Sequence, residues 1–436
     1  MRFHAILLAA FHANISGGGL TMTAQSITIN KSRPGGWLPM DEAALADFRL
    51  GIEAEVAAHP DRPLVRPVQA LYDCIMETPL YRMHLTQAIE QAHTAGYRLG
   101  YADIDGLMRR INAVMHYAPP FSTSSLVGCP LNALLDWPMC MPSGFAFFQF
   151  PTINEKIRAV LNYWSDFLSG PNSRDYLNTD NPKGWFSTTA AAKVNMSEFI
   201  CDPALPHWGY RSWNDFFTRL FKPGMRPVAS PDNPLVVTAA CESGPYALQT
   251  GVNLFDKFWI KTQPYSLMDM FTADRRDLAE TFVGGTVYQA FLSAYNYHRW
   301  HAPVSGTVVE AYVVNGTYYA DAPSEGLDPA GPNNSQGFIT AVATRAVMVI
   351  DTGNPALGKV GCIFVGMAEI SSCIIAVKIG DTVAKGDEIG FFQYGGSTHC
   401  LIFQPGVNLD FIPPQPYGED DSQIVPLNSA LANVIT

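Results

Sequence analysis

Ser397 stands in the run Tyr394-Gly395-Gly396-Ser397-Thr398, and upstream lies Tyr297-His298-Arg299-Trp300-His301-Ala302-Pro303. A serine behind a glycine, with imidazoles to serve it, has the groups needed to cut its own backbone. The hydroxyl attacks the Gly396 carbonyl and turns the amide into an ester. Serine is a weak nucleophile unless a base takes its proton. Loss of the Ser397 α-proton then expels Gly396 as a carboxylate and leaves dehydroalanine, which hydrolyses to a pyruvoyl group and ammonia. Gly396, having no side chain, admits a strained turn and close approach of the hydroxyl. Thr398 stands where its hydroxyl can donate to the developing oxyanion. His298 and His301 suit base duty because an ordinary imidazole titrates near pH 6.5, about the working pH.

Each feature also has an ordinary explanation. Gly-Gly-Ser-Thr alone reads as a flexible turn. A histidine pair three apart serves equally as core residues or as two metal ligands. No other His/Cys/Asp cluster has ligand spacing, so no metal is expected. His399, directly after the motif, is either a further participant or a surface histidine.

The elements that must position these groups change character midway. Leu45, Phe48, Ile52 and Val56 recur at helical spacing between Asp41-Glu42 and His59-Pro60. Ile104, Leu107, Ile111 and Met115 repeat the pattern before Pro119-Pro120, and Ile157, Leu161, Trp164 and Leu168 before Gly170-Pro171. Such stripes bury against one another, which predicts a helical domain over 38–211 behind a variable segment 1–37. From Leu235 onward, short runs rich in Val, Ile, Tyr and Phe alternate with turn residues, as in Thr307–Val314, Ala346–Ile350, Cys362–Met367 and Ile374–Val377. Turns fall at Asn315-Gly316, Gly380-Asp381 and Lys385-Gly386-Asp387. This predicts a compact all-β part within a second domain, 212–436. The join, Ser212 to Arg219 and then Lys222 to Pro227, reads as an exit from helix into extended chain. The acidic run Gly418-Glu419-Asp420-Asp421 reads as a solvated loop.

Ala302–Val308 and Val377–Asp387 together resemble the folded-over barrel of biotinyl and lipoyl carriers. A carrier needs a lysine at the hairpin tip between them. The interval holds Gly366-Met367-Ala368-Glu369-Ile370-Ser371-Ser372 instead, so the barrel is expected without the carrier function.

Composition narrows the partners. Of 436 residues 47% are hydrophobic and 15% charged, the balance of a globular chain. The formal net charge of −11, with no Lys/Arg cluster, speaks against nucleic acid and anionic membrane surfaces. No apolar run approaches the roughly 18–20 residues of a spanning helix, and no stable membrane anchor is expected. The patch Ala5–Phe11 is short for a signal peptide, and Met22 is an alternative start. Eight scattered cysteines without a C-x-x-C pair indicate reduced thiols and a cytoplasmic setting.

Four blocks, in order over 212–400, resemble the phosphatidylserine decarboxylase family. They are Phe216-Phe217-Thr218-Arg219 to Arg226-Pro227, the His298/His301 run with Gly306, Lys385 to Gly390, and Gly395-Gly396-Ser397-Thr398. Within the family the chain is similar to soluble fungal L-tryptophan decarboxylases of the psilocybin-pathway type, sharing phrases like Gly36-Trp37-Leu38, Ala239–Ser243 and Gly366–Ser371. The resemblance implies an α+β fold, with a helical domain ahead of a β-rich decarboxylase domain. It implies self-cleavage at 396/397 into a large chain 1–396 and a small chain 397–436 that stay associated, the latter capped by a covalent pyruvoyl made from Ser397. It also implies a Ser-His-Asp arrangement for cleavage, with Ser397 and His301 in the first two roles. The family carries Asp in a Pro-x-Asp-Gly phrase. Here Ala240-Cys241-Glu242-Ser243 stands in that place, making Glu242 the candidate, one methylene longer, or an ordinary strand-end carboxylate. Decarboxylation then runs through a Schiff base between substrate amine and ketone, with His298 as the acid that protonates Cα.

The acidic balance and missing anchor favour a free amino acid, tryptophan or another aromatic one, over phosphatidylserine. Turnover of phosphatidylserine to phosphatidylethanolamine, and a barrel that binds without processing, are the alternatives.

Overall fold

A computed structural model describes residues 42–122, 129–256, 265–321, 335–369, 372–414 and 424–436. The segment 1–37, with the Ala5–Phe11 patch, Met22 and Trp37, lies outside these residues, as do Ile370, Ser371 and the Gly418–Asp421 run.

The first half is helical: α1 (Glu42–Ala58), α2 (Arg66–Glu77), α3 (Pro79–Thr94), α4 (Ile104–Val114), α5 (Pro130–Met139), α6 (Pro142–Phe147), α7 (Pro151–Ser169), α8 (Thr188–Lys193) and α9 (Trp213–Phe217). The three stripes predicted from periodicity are α1, α4 and α7. Proline in the first turn starts α2, α3, α5, α6 and α7, where a missing N–H costs nothing. Asp103 caps α4 by accepting from the Gly106 amide at 2.8 Å, and Ser212 caps α9 by accepting from Asp215 at 3.1 Å. The join after 211 is therefore not purely extended: α9 makes one more helical turn there, and that turn reaches the site.

Strands follow: β1 (Val236–Thr238), β2 (Gly244–Thr250), β3 (Thr286–Leu292), β4 (Arg299–His301), β5 (Gly306–Val314), β6 (Arg345–Asp351), β7 (Lys359–Gly366), β8 (Ser372–Ile375), β9 (Thr382–Val383), β10 (Glu388–Gln393), β11 (Ser397–Phe403), β12 (Leu409–Phe411) and β13 (Ala430–Val434). Three short helices interrupt them, α10 (Leu267–Phe271), α11 (Arg276–Glu280) and α12 (Gln336–Val342), so the second half is not all-β. Their brevity hides them from a periodicity argument, which needs about three turns.

The main sheet is antiparallel, with strand order β2-β3-β11-β7-β6-β5-β9. Smaller sheets run β4-β10-β8 and β1-β13-β12. These sheets are open, and among the described residues none closes into the expected folded-over barrel. The two phrases that suggested it do lie side by side, through the Gly306–Val383 and Thr307–Thr382 pairs and through backbone hydrogen bonds of Ala302 with Gly386 and Asp387 and of Val308 with Gly380 and Asp381.

Both faces of the main sheet are covered, so its central strands read as continuous apolar runs. On one face Cys400, Ile402 and Val365 join a core continuous with Leu107, Leu161 and Trp213 of the helical half. On the other, Leu401, Phe403 and Phe364 pack with Trp300 and Phe392. Trp300 lies flat on Phe364, with centroids 4.2 Å apart and planes 2° from parallel. Gly390, opposite Trp300 in the β4–β10 pair, makes that stack possible. A Cβ there would lie 2.3 Å from the Ile374 carbonyl oxygen and 2.5 Å from Trp300 Cε3. Gly390→Ala is expected to destabilise the fold by about 1–3 kcal/mol through overpacking, read as a lower denaturant midpoint by circular dichroism.

Candidate active site

Ser397 is the first residue of β11. It pairs with Leu292 of β3 on one side and Gly366 of β7 on the other, and is fully buried. Its Oγ makes no hydrogen bond. The carbonyl of the preceding Gly396 accepts from the Met367 amide at 3.2 Å. The bond proposed for scission thus ends in an oxygen already held by a backbone donor, the geometry that stabilises an oxyanion. The left-handed backbone that glycine permits lies one residue earlier than expected, at Gly395 with φ +107°.

Thr398 does not supply the oxyanion donor expected of it. Its hydroxyl donates to the Ala290 carbonyl at 3.0 Å and accepts from Gln289 Nε2 at 2.9 Å. The cause is strand alternation: successive side chains leave opposite faces. Thr398 and Cys400 share one face, and Ser397 and His399 share the other.

His298 and His301 part company. The His298 ring is fully buried and stacked on Phe217 of α9, centroids 4.1 Å apart. Neither of its nitrogens makes a well-formed hydrogen bond. Burial, then the Arg219 charge, push its pKa down to about 3, against a smaller opposing pull from the backbone at Asn296 and Gly395. That backbone contact puts His298 beside the glycine pair. His301, on β4, faces elsewhere: Nδ1 is 2.7 Å from the Gly386 carbonyl oxygen and Nε2 is 3.2 Å from the Tyr297 hydroxyl. Burial lowers its pKa as well.

Glu242 does not orient His301. Its carboxylate takes a fork from Arg226, with Nη2 at 2.6 Å and Nε at 2.9 Å, and also the Leu427 amide at 2.7 Å. Arg226 binds Glu198 besides, at 2.8 Å. A half-buried carboxylate with a bidentate guanidinium partner is held in place, and both ring nitrogens of His301 already have partners.

Groups that sequence reasoning left without a role lie at the glycine pair. Glu369, 1% exposed, accepts from the Asn132 amide at the start of α5 at 2.7 Å, while its Oε2 makes no hydrogen bond. Burial raises its pKa to about 7, though the α5 amides and the Cys129 thiol favour the ion. A Cβ on Gly395 would lie 3.4 Å from both Glu369 Cβ and Cys129 Sγ. A lone acid after the apolar run Cys362–Met367 was the visible signal for Glu369. The Met367 amide has none, being backbone. Tyr394 packs on Trp164, Trp213 and Phe217, joining the glycine pair to α7 and α9.

His399 is buried, lies parallel to Phe364 at 6.0 Å, and makes no well-formed hydrogen bond; burial takes its pKa to about 3. The surface alternative for this residue is overturned. None of the eight cysteines is in a disulfide, and six are buried. Among the described residues no three His, Cys, Asp or Glu side chains are placed to hold a metal, and no helix is long and apolar enough to cross a membrane.

Two profiles described as phosphatidylserine decarboxylase match residues 65–194 and 213–416. The chain belongs to the phosphatidylserine decarboxylase family. It is 37% identical to decarboxylase iboD of Amanita muscaria over 327 residues, 70% of this chain and 91% of that relative. It is 30% identical to the L-tryptophan decarboxylase of Psilocybe cubensis, over 84% of this chain and 87% of that one. Proenzyme 3 of the phosphatidylserine decarboxylases of Schizosaccharomyces pombe is 32% identical over 49% of this chain, which spans 20% of that relative. The family and these relatives make the chain an enzyme, a carboxy-lyase.

Buried neutral histidines set an acid limit. His298 and His399 bind a proton near pH 6.5 when unfolded but only near 3 when folded. Stability is therefore full above about pH 6.5 and is lost as pH falls toward 3. His399→Phe, which keeps the stack on Phe364, is expected to flatten that acid slope, measured as urea midpoints between about pH 7 and 4.5.

Proposed function

We propose that this carboxy-lyase is a self-processing, pyruvoyl-dependent decarboxylase of a free L-amino acid, tryptophan or another aromatic one. The observation that carries the reading is the setting of Ser397: a buried hydroxyl with no hydrogen-bond partner heads the central strand, behind a carbonyl held by the Met367 amide. Relatives named proenzymes support it. These residues fit a pyruvoyl made in place, since the Ser397 hydroxyl makes no hydrogen bond and Gly395 turns the chain just ahead of it at φ +107°.

In this reading His298 takes the Ser397 hydroxyl proton and passes it to the departing amide nitrogen. Its depressed pKa keeps it neutral at working pH, as a base must be. The family-implied pairing of His301 with Ser397 through Glu242 requires both residues to leave the partners they hold. His301 and Glu242 are therefore assigned positioning roles, fixing β4 against Gly386 and the Arg226 segment against Leu427. A pyruvoyl at 397 supplies a ketone that binds the substrate amine and withdraws electrons from the bond to the departing carboxylate. Burial keeps water from the reacting carbon, and His298, neutral at rest, is the acid candidate for protonating it once it has taken the proton that the substrate ammonium sheds on binding.

The substrate reading rests on length of match. Amino-acid decarboxylase relatives align along 84% of the chain, and the phosphatidylserine decarboxylases along half or less. Tyr394, Trp213 and Phe217 give the site an aromatic wall suited to an aryl side chain. Phosphatidylserine is the second reading, favoured by the family match over 213–416. Cytoplasmic location, association of the two cleaved chains, and a local likeness of the Gly306/Val383 pairing to biotinyl carriers belong to the same proposal.

Wild type should run as two fragments on a denaturing gel, with intact masses for 1–396 and a 397–436 piece blocked to amine-reactive sequencing. Ser397→Ala should stay whole and release no CO2. An uncut wild type that still releases CO2 overturns the mechanism. Free tryptophan should be turned over and phosphatidylserine vesicles not; turnover of vesicles alone reverses the substrate assignment.

A further inference from the structure

Cleavage by the route above, on which this inference rests, moves two protons. One leaves the Ser397 hydroxyl during ester formation and one leaves Ser397 Cα during elimination. Two buried groups with acid–base atoms that make no well-formed hydrogen bond stand at the glycine pair: His298, through the backbone at Gly395, and Glu369, whose Cβ lies 3.4 Å from the point a Gly395 Cβ would occupy. A buried polar atom without a well-formed partner is costly, so two residues bearing them at one turn ask for a purpose.

Glu369 is held there by more than packing. It sits three residues past Gly366, the strand partner of Ser397, and two past Met367, whose amide holds the Gly396 carbonyl. Its Oε1 is fixed by the Asn132 amide, which leaves Oε2 as the free end. We propose that Glu369 is the base that removes the Ser397 α-proton, leaving His298 to serve the hydroxyl. In that step the Glu369 O–H bond forms as the Cα–H bond breaks. The electron pair makes the Cα=Cβ bond of dehydroalanine, and the Cβ–Oγ bond breaks to release Gly396 as a carboxylate. No oxidant or further reactant is needed, and water alone completes the hydrolysis to the keto end and ammonia.

The titratable groups facing Glu369 are Cys129, before α5, and Tyr319, after β5. Burial pushes both well above their ordinary range, so both stay neutral. With the Glu369 pKa at about 7 and that of His298 at about 3, elimination should speed up as pH rises through about 7.

The test uses the full chain, refolded or freshly translated, and hydroxylamine, which cleaves esters and spares amides. Glu369→Gln keeps shape and the Asn132 contact. It is expected to stall at the ester, so hydroxylamine splits it at 396/397 and yields a small fragment with a free serine amine. Glu369→Asp should restore part of the keto-capped product, at a rate at least tenfold below wild type. His298→Gln should stay whole and resist hydroxylamine. A Glu369→Gln chain that makes the blocked fragment at the wild-type rate overturns the proposal. So does one that folds, by circular dichroism, yet resists hydroxylamine. If Glu369→Gln does not fold, Glu369→Asp decides, and a wild-type rate with an unshifted pH midpoint in that variant overturns the proposal. A wild type that never cleaves would fail the parent reading instead.

Discussion

The antiparallel seating of β11 between β3 and β7 is the constraint from which the rest of the site follows. It buries seven residues in a row, and strand alternation then assigns each side chain to one of two covered faces. Ser397 comes out on the face of Trp300 and Phe364, and Thr398 on the face of Gln289 and Cys400. A slip of one residue would exchange them, so the apolar pairing of the whole strand protects the placement of one hydroxyl. The ladder also carries the backbone donor: extending the Gly366–Ser397 pair by one residue brings the Met367 amide onto the Gly396 carbonyl.

The helical half acts on the site from outside the sheet. α5 offers its first amides to Glu369, α7 and α9 pack on Tyr394, and Phe217 of α9 covers His298. The electrostatics follow from this cover. With water excluded, imidazoles lose their protons and the carboxyl retains one to higher pH, both because the charged form is penalised. A neutral imidazole and a carboxyl poised near neutrality thus arise from the same burial.

Much of this was legible in the sequence. Stripes of three-to-four spacing placed α1, α4 and α7, and the apolar runs placed β5, β6 and β7. The glycine-serine motif and the paired histidines drew attention to Ser397 and His298, and the fold sets both beside the glycine pair. What stayed hidden depended on partners distant in sequence. Glu242 looked like a triad acid until Arg226 was seen to hold it, and Thr398 looked like a donor until the strand turned it away. Met367 contributes only its amide, which every residue but proline has. α10 to α12 are too short for a period to show, and the carrier-like phrases predicted a closure that open sheet edges do not make.

The ladder around β11 has a further consequence for a molecule cut at its head. Residues 397–403 remain hydrogen-bonded along both edges, and β13, near the other end of the same piece, lies between β1 and β12. The severed piece would be woven through two sheets, and its loss would require both to come apart together. Melting would then be a dissociation whose midpoint moves with protein concentration, and a heated sample would not find its way back as an unbroken chain does.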